Sequence, residues 1–294
     1  MTQDLSEHRH ISFTAHYTGY IWYSMGISNP VFATSKGKFL AKLVHPLESW
    51  AEKHVGGSMR TTLKQRHTLI DRQLSQLIQL HPNLQILEIA CGLSPRSWNF
   101  RQKYSQIDYR ELDLPDMAKI KTEALQKLDQ TAPEVLTADI FSQDFEQIFQ
   151  VFDPKRPLVI ISEGLINYFD KTLLNRLLQG ITEYGQDFEQ LHYLTDIYPE
   201  PVKNRLANFI WTSSKLLKFM SRSAFSFHFI SPLEIQTFFS NAGFNQIDVL
   251  QPLNHLPQAE QGNKHSNVIP FQNPDEHGGD LVWVIHASTK KQRS

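Results

Sequence analysis

The residues best suited to chemistry in this sequence are small or charged, and they stand where hydrophobic runs stop. Residues 85–90 (QILEIA) lead straight into Cys91-Gly92-Leu93-Ser94-Pro95-Arg96. A turn of small residues after a strand lets the backbone approach a ligand at the strand's carboxyl end, where open α/β sheets bind. Residues 108–113 (DYRELD) end on Asp113, about 20 residues past the turn, the spacing of a carboxylate that accepts from ribose hydroxyls. One carboxylate can accept from both hydroxyls at once. The turn holds a single glycine and fails the G-x-G-x-x-G pattern. Pyrophosphate needs the closest backbone approach, so the failure argues against a nicotinamide dinucleotide and its oxidoreductases. A ligand without phosphates tolerates Ala90 and Ser94 better, which favours S-adenosylmethionine.

Three further groups suit that ligand. Asp139, in the run at 134–140 (EVLTADI), can accept from an adenine amino group. Glu163 follows the run at 158–162 (LVIIS) and would lie near the methionine amino group and the sulfonium. Arg66, on the preceding helix, can form a bidentate pair with the methionine carboxylate. Taken singly, Arg66 reads as a surface helix charge and Asp139 as a helix cap. Taken together, Gly92, Asp113, Asp139 and Glu163 close four successive runs, which would align them on one edge of a sheet.

The elements that must position them alternate. Five strands are expected at 85–90, 108–113, 134–140, 158–162 and 191–197, with helices between them at 117–128 and 171–184. Strand–helix alternation predicts a parallel, doubly wound, three-layer α/β fold with right-handed crossovers. A helix is expected over 60–80, with Leu63, Ile70, Leu74, Leu77 and Ile78 on one side, stopped at His81-Pro82-Asn83. Phe13, Tyr17 and Tyr20 share helical spacing near the N-terminus. A long, mostly helical stretch spans 200–229, and Ser231-Pro232-Leu233-Glu234 reads as a capped helix start ending at Gly243. Two late strands, 246–250 and 281–287, complete a seven-stranded sheet whose C-terminal strand is antiparallel. This divides the chain into an N-terminal helical cap over 1–80 and a cofactor-binding core over 81–294, with a helical insertion around 200–229.

Composition narrows the classes. The 294 residues are 40% hydrophobic and 20% charged, which suits a globular protein. Lys and Arg total 29 against 30 for Asp and Glu, so the chain lacks the basic excess of a dedicated nucleic-acid binder. A single cysteine, Cys91, excludes an intrachain disulfide and any multi-cysteine metal site. No histidine pattern calls for a metal, and no phosphate loop or G-x-S-x-G elbow occurs. Without a secretory signal or a long apolar run, a cytoplasmic setting away from membranes is the default.

The segment 85–169 resembles the leucine carboxyl methyltransferase family, which includes tetracenomycin-type polyketide O-methyltransferases. The resemblance rests on Arg66-x-x-x-x-Asp71, QILEIACGLSPR, YRELDLP, LTADI and above all SEGLINYF. It implies a class I methyltransferase that holds S-adenosylmethionine through Arg66, Gly92, Asp113, Asp139 and Glu163, with Leu114 and Ile140 flanking the adenine. Two departures stand out. Ser94 occupies the place of the Asp in the family's Gly-x-Asp-x-Arg turn, and the N-terminal helix is aromatic where a basic residue is expected.

The expected reaction is O-methylation of a small-molecule acceptor, a carboxylate or a hydroxyl. Tyr20, Trp22, Tyr168 and Tyr198, with Tyr23 and Trp211, are the candidate lining of an acceptor pocket. Should the acceptor need a base, His16 and His192 are the candidates, with Tyr168 or Tyr198 as hydrogen-bond partners, although each histidine reads more readily as a structural residue. The other readings are a non-catalytic protein that keeps the cofactor fold and a protein carboxyl methyltransferase.

Overall fold

Alternate residues of the central strands enter opposite cores, which fixes the layer order. The computed structural model describes residues 9–55, 59–200, 226–255 and 281–290. Among these, seven strands form one sheet in the order β3-β2-β1-β4-β5-β7-β6. They are β1 (Gln85–Ile89), β2 (Asp108–Asp113), β3 (Leu136–Thr137), β4 (Leu158–Ser162), β5 (Gln190–Ile197), β6 (Gln246–Leu250) and β7 (Trp283–Lys290). Strands β1 to β5 pair in parallel, and β7 runs antiparallel between β5 and β6. Leu87, Ile89, Leu158, Ile160 and Ile285 enter the core on one face, whereas Ile86, Val159, Ile161 and Val284 enter the core on the other. Strands covered on both faces carry continuous apolar runs for this reason.

The helices are α1 (Arg9–Ser24), α2 (Ser35–Val55), α3 (Met59–Leu80), α4 (Arg96–Lys103), α5 (Pro115–Gln126), α6 (Asp144–Phe149), α7 (Lys171–Tyr184), α8 (Pro232–Asn241) and α9 (Pro252–His255). Helix α7 packs through Leu174, Leu177, Leu178 and Ile181, a helical stripe, and Asp170 caps its first turn by accepting from Leu173 N at 2.8 Å. Helix α3 serves two partners. Its Leu63 joins Tyr17 and Ile21 of α1 and Leu40 of α2, while Ile70, Leu74, Leu77 and Ile78 lie on the sheet. Helix α8 starts as its sequence requires: Ser231 Oγ accepts from Glu234 N, Pro232 is the first helical residue, and Glu234 accepts from Ile230 N at 3.1 Å.

Two strands differ most from expectation. Strand β3 keeps only Leu136 and Thr137, because Asp139 folds the chain back: Phe141 N donates to its side chain at 2.9 Å and Ser142 N to its carbonyl at 2.9 Å. Strand β7 starts two residues later and reaches Lys290, because it pairs with β5 along its whole length, from Trp283 opposite Ile197 to Lys290 opposite Gln190. The stretch expected to be helical over 200–229 lies mostly outside the described residues, as does Trp211. Among the described residues no helix is long and apolar enough to cross a membrane.

Candidate active site

The carboxyl ends of β1, β2, β4 and β5 carry two adjoining constellations. The first joins the turn after β1 to the end of β2. Gly92 N donates to Asp113 Oδ2 at 2.7 Å and Leu114 N to Asp113 Oδ1 at 2.8 Å. Each carboxylate oxygen has a second acceptor position, so Asp113 can accept from a further donor. Gly92 has φ +50°, and a Cβ there would come within 3.0 Å of Ala15 Cβ on α1. Both the backbone conformation and the packing of α1 favour glycine. Burial pushes the Asp113 carboxyl up to about 6, against the opposing pull of the Gly92 and Leu114 amides and of Lys121. Lys121 of α5, itself fully buried, donates to the Ser94 carbonyl and lies 3.0 Å from Glu111.

The second constellation is a buried ion network spanning α3, β1, α4, β4 and β5. Arg66 donates through Nε to Glu163 Oε1 at 2.9 Å, and through Nη1 to Asp196 Oδ2 at 3.2 Å and to the Tyr198 hydroxyl at 3.3 Å. Gly164, at φ +70°, passes so close to this guanidinium that a Cβ would come within 2.9 Å of Nη2. Its N–H donates to Asp196 Oδ1 at 2.6 Å. Arg96, wholly buried, donates to Asp71 at 2.6 Å, to Glu88 at 2.6 Å and to Glu163 Oε2 at 2.5 Å. His67 Nδ1 lies 2.8 Å from Glu163 Oε2, and Tyr109 donates to Glu88 Oε2 at 2.7 Å. Burial alone would raise the Glu163 carboxyl, but His67, Arg96 and Arg66 hold it well below the usual carboxylate range. Asp196 is pushed up by burial despite Arg66. Two guanidiniums thus face four carboxylates, those of Asp71, Glu88, Glu163 and Asp196. The excess of negative charge suits a ligand with cationic centres.

The sequence candidates divide in the structure. Arg66, Glu163 and Tyr198 are in direct contact, as are Gly92, Asp113 and Leu114. Tyr168 stands close by, its hydroxyl 3.3 Å from Thr14 Oγ1 of α1. Asp139 and Ile140 lie in the turn after β3, where Asp139 shapes the turn and half-buried Ile140 packs on the core. Tyr20 is half-buried among α1 and α2 beside Tyr23. Trp22 is buried behind His67, rings 5.2 Å apart, and backs the ion network. His192 lies away from the site. It sits five residues before the end of β5, about 17 Å from the edge that carries the site. Burial, His286 and His81 together push its imidazole down to about 3. His16 is buried and bonded to Thr34, and burial with Lys36 lowers it as well.

Comparison with known proteins decides the family. The leucine carboxyl methyltransferase model matches residues 30–182, just over half of the 294-residue chain. The chain belongs to the leucine carboxyl methyltransferase family. A candidate S-adenosyl-L-methionine-dependent methyltransferase of Mycobacterium avium (strain 104) is 31% identical over 121 residues, 40% of this chain and 38% of its own length. A counterpart in Mycolicibacterium paratuberculosis (strain ATCC BAA-968 / K-10) matches equally. The chain therefore matches well under half the length of these curated relatives. Among solved structures, a candidate methyltransferase of Thermobifida fusca YX superposes with TM-score 0.58 at 15% identity, over 87% of this chain and 89% of that one. The CurJ carbon methyltransferase superposes with TM-score 0.50 at 13% identity, over 90% and 62%. These likenesses show the class I methyltransferase fold, and S-adenosylmethionine is the cofactor of the leucine carboxyl methyltransferase family.

The donor set fits that cofactor: a carboxylate with spare acceptor positions at the end of β2, and an adjoining acid–guanidinium pair suited to an amino acid's ammonium and carboxylate. Sequence reasoning missed Arg96, His67, Glu88 and Asp196 as site residues. A signal was present. Glu88 interrupts the apolar run QILEI and Asp196 the run LHYLTDI, and a carboxylate inside a buried strand needs a buried cation.

Proposed function

We propose that the chain transfers a methyl group from S-adenosylmethionine to an oxygen, carboxylate or hydroxyl, of a small-molecule acceptor. The observation that carries this is the pinned Asp113 carboxylate beside the Arg66–Glu163 pair on one sheet edge. Asp113 would accept from the ribose hydroxyls, Gly92 would give the backbone room, and Asp139 would accept from the adenine amino group, with Leu114 and Ile140 on the ring's two sides. Glu163 would hold the methionine ammonium and Arg66 its carboxylate. Bound there, the cofactor supplies a methyl group already made electrophilic by its sulfonium.

The residues then have mainly to orient the acceptor, a contribution of roughly 7–11 kcal/mol when reacting groups are well aligned. Tyr168 and Tyr198 are the nearest candidates, with Tyr20 and Trp22 behind them. Burial keeps both phenols protonated, Tyr198 at about 12, so they donate hydrogen bonds rather than remove protons. That favours a carboxylate acceptor, ionised at neutral pH and needing no base. The cap over 1–80 and the insertion around 200–229 would select the acceptor in a cytoplasmic setting. A protein carboxyl terminus is the second reading, favoured by the description of the matching family.

Transfer of labelled methyl from S-adenosylmethionine tests the proposal across small carboxylic acids, phenols and alcohols, plus a peptide with a free C-terminus. A base-labile methyl ester or a stable ether on a small molecule supports it, and labelling of the peptide alone shifts it to the second reading. Cofactor binding with no acceptor labelled would leave a non-catalytic binding protein.

A further inference from the structure

We propose that Arg96 is a positioning residue that keeps Glu163 and Arg66 from closing on each other, so that the pair can receive the zwitterionic end of the cofactor. The proposal rests on the placement of the methionine end at Glu163 and Arg66 given above.

Arg96 is the first residue of α4, and its guanidinium is wholly buried. Its donors fan out in three directions. Nε meets Asp71 on α3, Nη1 meets Glu88 in β1, and Nη2 meets Glu163 after β4. The first two acceptors are anchors. Glu88 is buried mid-strand and its other oxygen takes the Tyr109 hydroxyl, so it has little freedom to move. Asp71 lies a helical turn beyond His67 on α3, 3.6 Å from its Nε2. The third arm is thereby aimed at Glu163 Oε2, and it also lies 2.9 Å from His67 Nδ1, which is 2.8 Å from the same oxygen.

Glu163 is left with one oxygen, Oε1, for Arg66, and the contact is made through Nε alone. An isolated carboxylate and guanidinium favour two parallel bonds. Here they are held to one. Arg66 instead spreads Nη1 over Asp196 and Tyr198, and Nη2 crosses the bare Gly164 backbone. A pair held open keeps an acceptor face on the acid and donors on the base, which is what an ammonium and a carboxylate require. With Arg96 shortened to lysine, a single ammonium could not span three carboxylates. Glu163, left with only His67 on Oε2, would then turn toward Arg66 as a bidentate pair and close the site to the amino-acid end. The adenosine end, held at Asp113, would be untouched.

Two ligands separate these ends: S-adenosylhomocysteine carries the amino acid, and 5′-methylthioadenosine lacks it. Calorimetric titration of both into wild type, Arg96→Lys, Glu163→Gln and the double variant should show Arg96→Lys weakening S-adenosylhomocysteine at least tenfold. Methylthioadenosine should stay within twofold, and the S-adenosylhomocysteine loss should shrink to within twofold in the Glu163→Gln background. Equal losses for both ligands, no loss, or an undiminished loss in that background would overturn the proposal and leave Arg96 a packing residue. If Arg96→Lys does not fold, Asp71→Asn removes one anchor at the half-buried rim and should weaken S-adenosylhomocysteine alone by about threefold. Parallel loss or no loss there overturns the proposal too. Failure of wild type to bind S-adenosylhomocysteine would overturn the underlying reading and the proposal with it, a result distinct from every other.

Discussion

Helix α3 meets the sheet through buried polar groups near both of its ends, and the two ends treat charge in opposite ways. Near its start, Arg66 and His67 meet Glu163 and Asp196, and burial is overcome by counter-charges that hold Glu163 ionised. Just past its end, the His81 ring lies 5.7 Å from that of His192 on β5, which in turn is 3.0 Å from His286 on β7. Among the described residues no buried carboxylate answers His192 or His286. Asp248, paired across the strands from His286, is exposed, and burial lowers both His192 and His286. His192 Nε2 has no partner among the described residues. Charge survives burial where geometry supplies opposite charge, and is expelled where it does not. The charged end lies at the carboxyl edge, where ligands bind in such sheets, and the neutral end lies away from it.

The sharpest way to break this contrast is to remove the cation at the charged end. Arg96→Met leaves Asp71, Glu88 and Glu163 without their common partner and should cost about 3–5 kcal/mol, read from urea unfolding. A loss below about 1 kcal/mol would mean that the acids are solvated or protonated instead.

At the neutral end the expected effect is a pH slope. The His192 imidazole is lowered from 6.5 to about 3 on folding, so the unfolded chain binds the proton first. Stability is therefore full above about 6.5 and falls as pH drops toward 3, by up to about 1.4 kcal/mol per pH unit. His192→Leu should flatten that slope between pH 6 and 4. An unchanged slope would show that His192 does not carry it.

Ligand affinity should show the reverse logic at Asp113. Its carboxyl, raised to about 6, is ionised at pH 7 and mostly protonated at pH 5. S-adenosylhomocysteine should bind about tenfold more weakly at pH 5 than at pH 7, and Asp113→Asn should abolish that dependence. The smallest effect calibrates the others. Asp170→Ala, whose carboxylate bonds Leu173 N and belongs to neither cluster, removes the cap on α7 and should cost about 1 kcal/mol without altering either pH dependence.

Most of the fold was legible because its signals are local. The runs at 108–113 and 158–162 and the helix at 171–184 have the bounds expected of them. Strand β3 was overcalled because TADI has strand composition but an Asx turn at Asp139 ends the pairing. The turn after β1, Asp113 and Glu163 were readable as strand-end residues. The ion network was not, because its members are scattered from residue 66 to residue 196 and meet only when the sheet assembles. The burial of Trp22 and the distance of His192 from the carboxyl edge were not legible for a related reason. Residue type suggests a role, but the helix face or strand position decides which surface a side chain meets.

The most direct test of the central claim is calorimetric titration of S-adenosylmethionine and S-adenosylhomocysteine into wild type and Asp113→Ala. Micromolar binding by wild type, weakened at least tenfold in Asp113→Ala, about 1.4 kcal/mol, is the expected result. No binding of either ligand by a folded wild type would contradict the account.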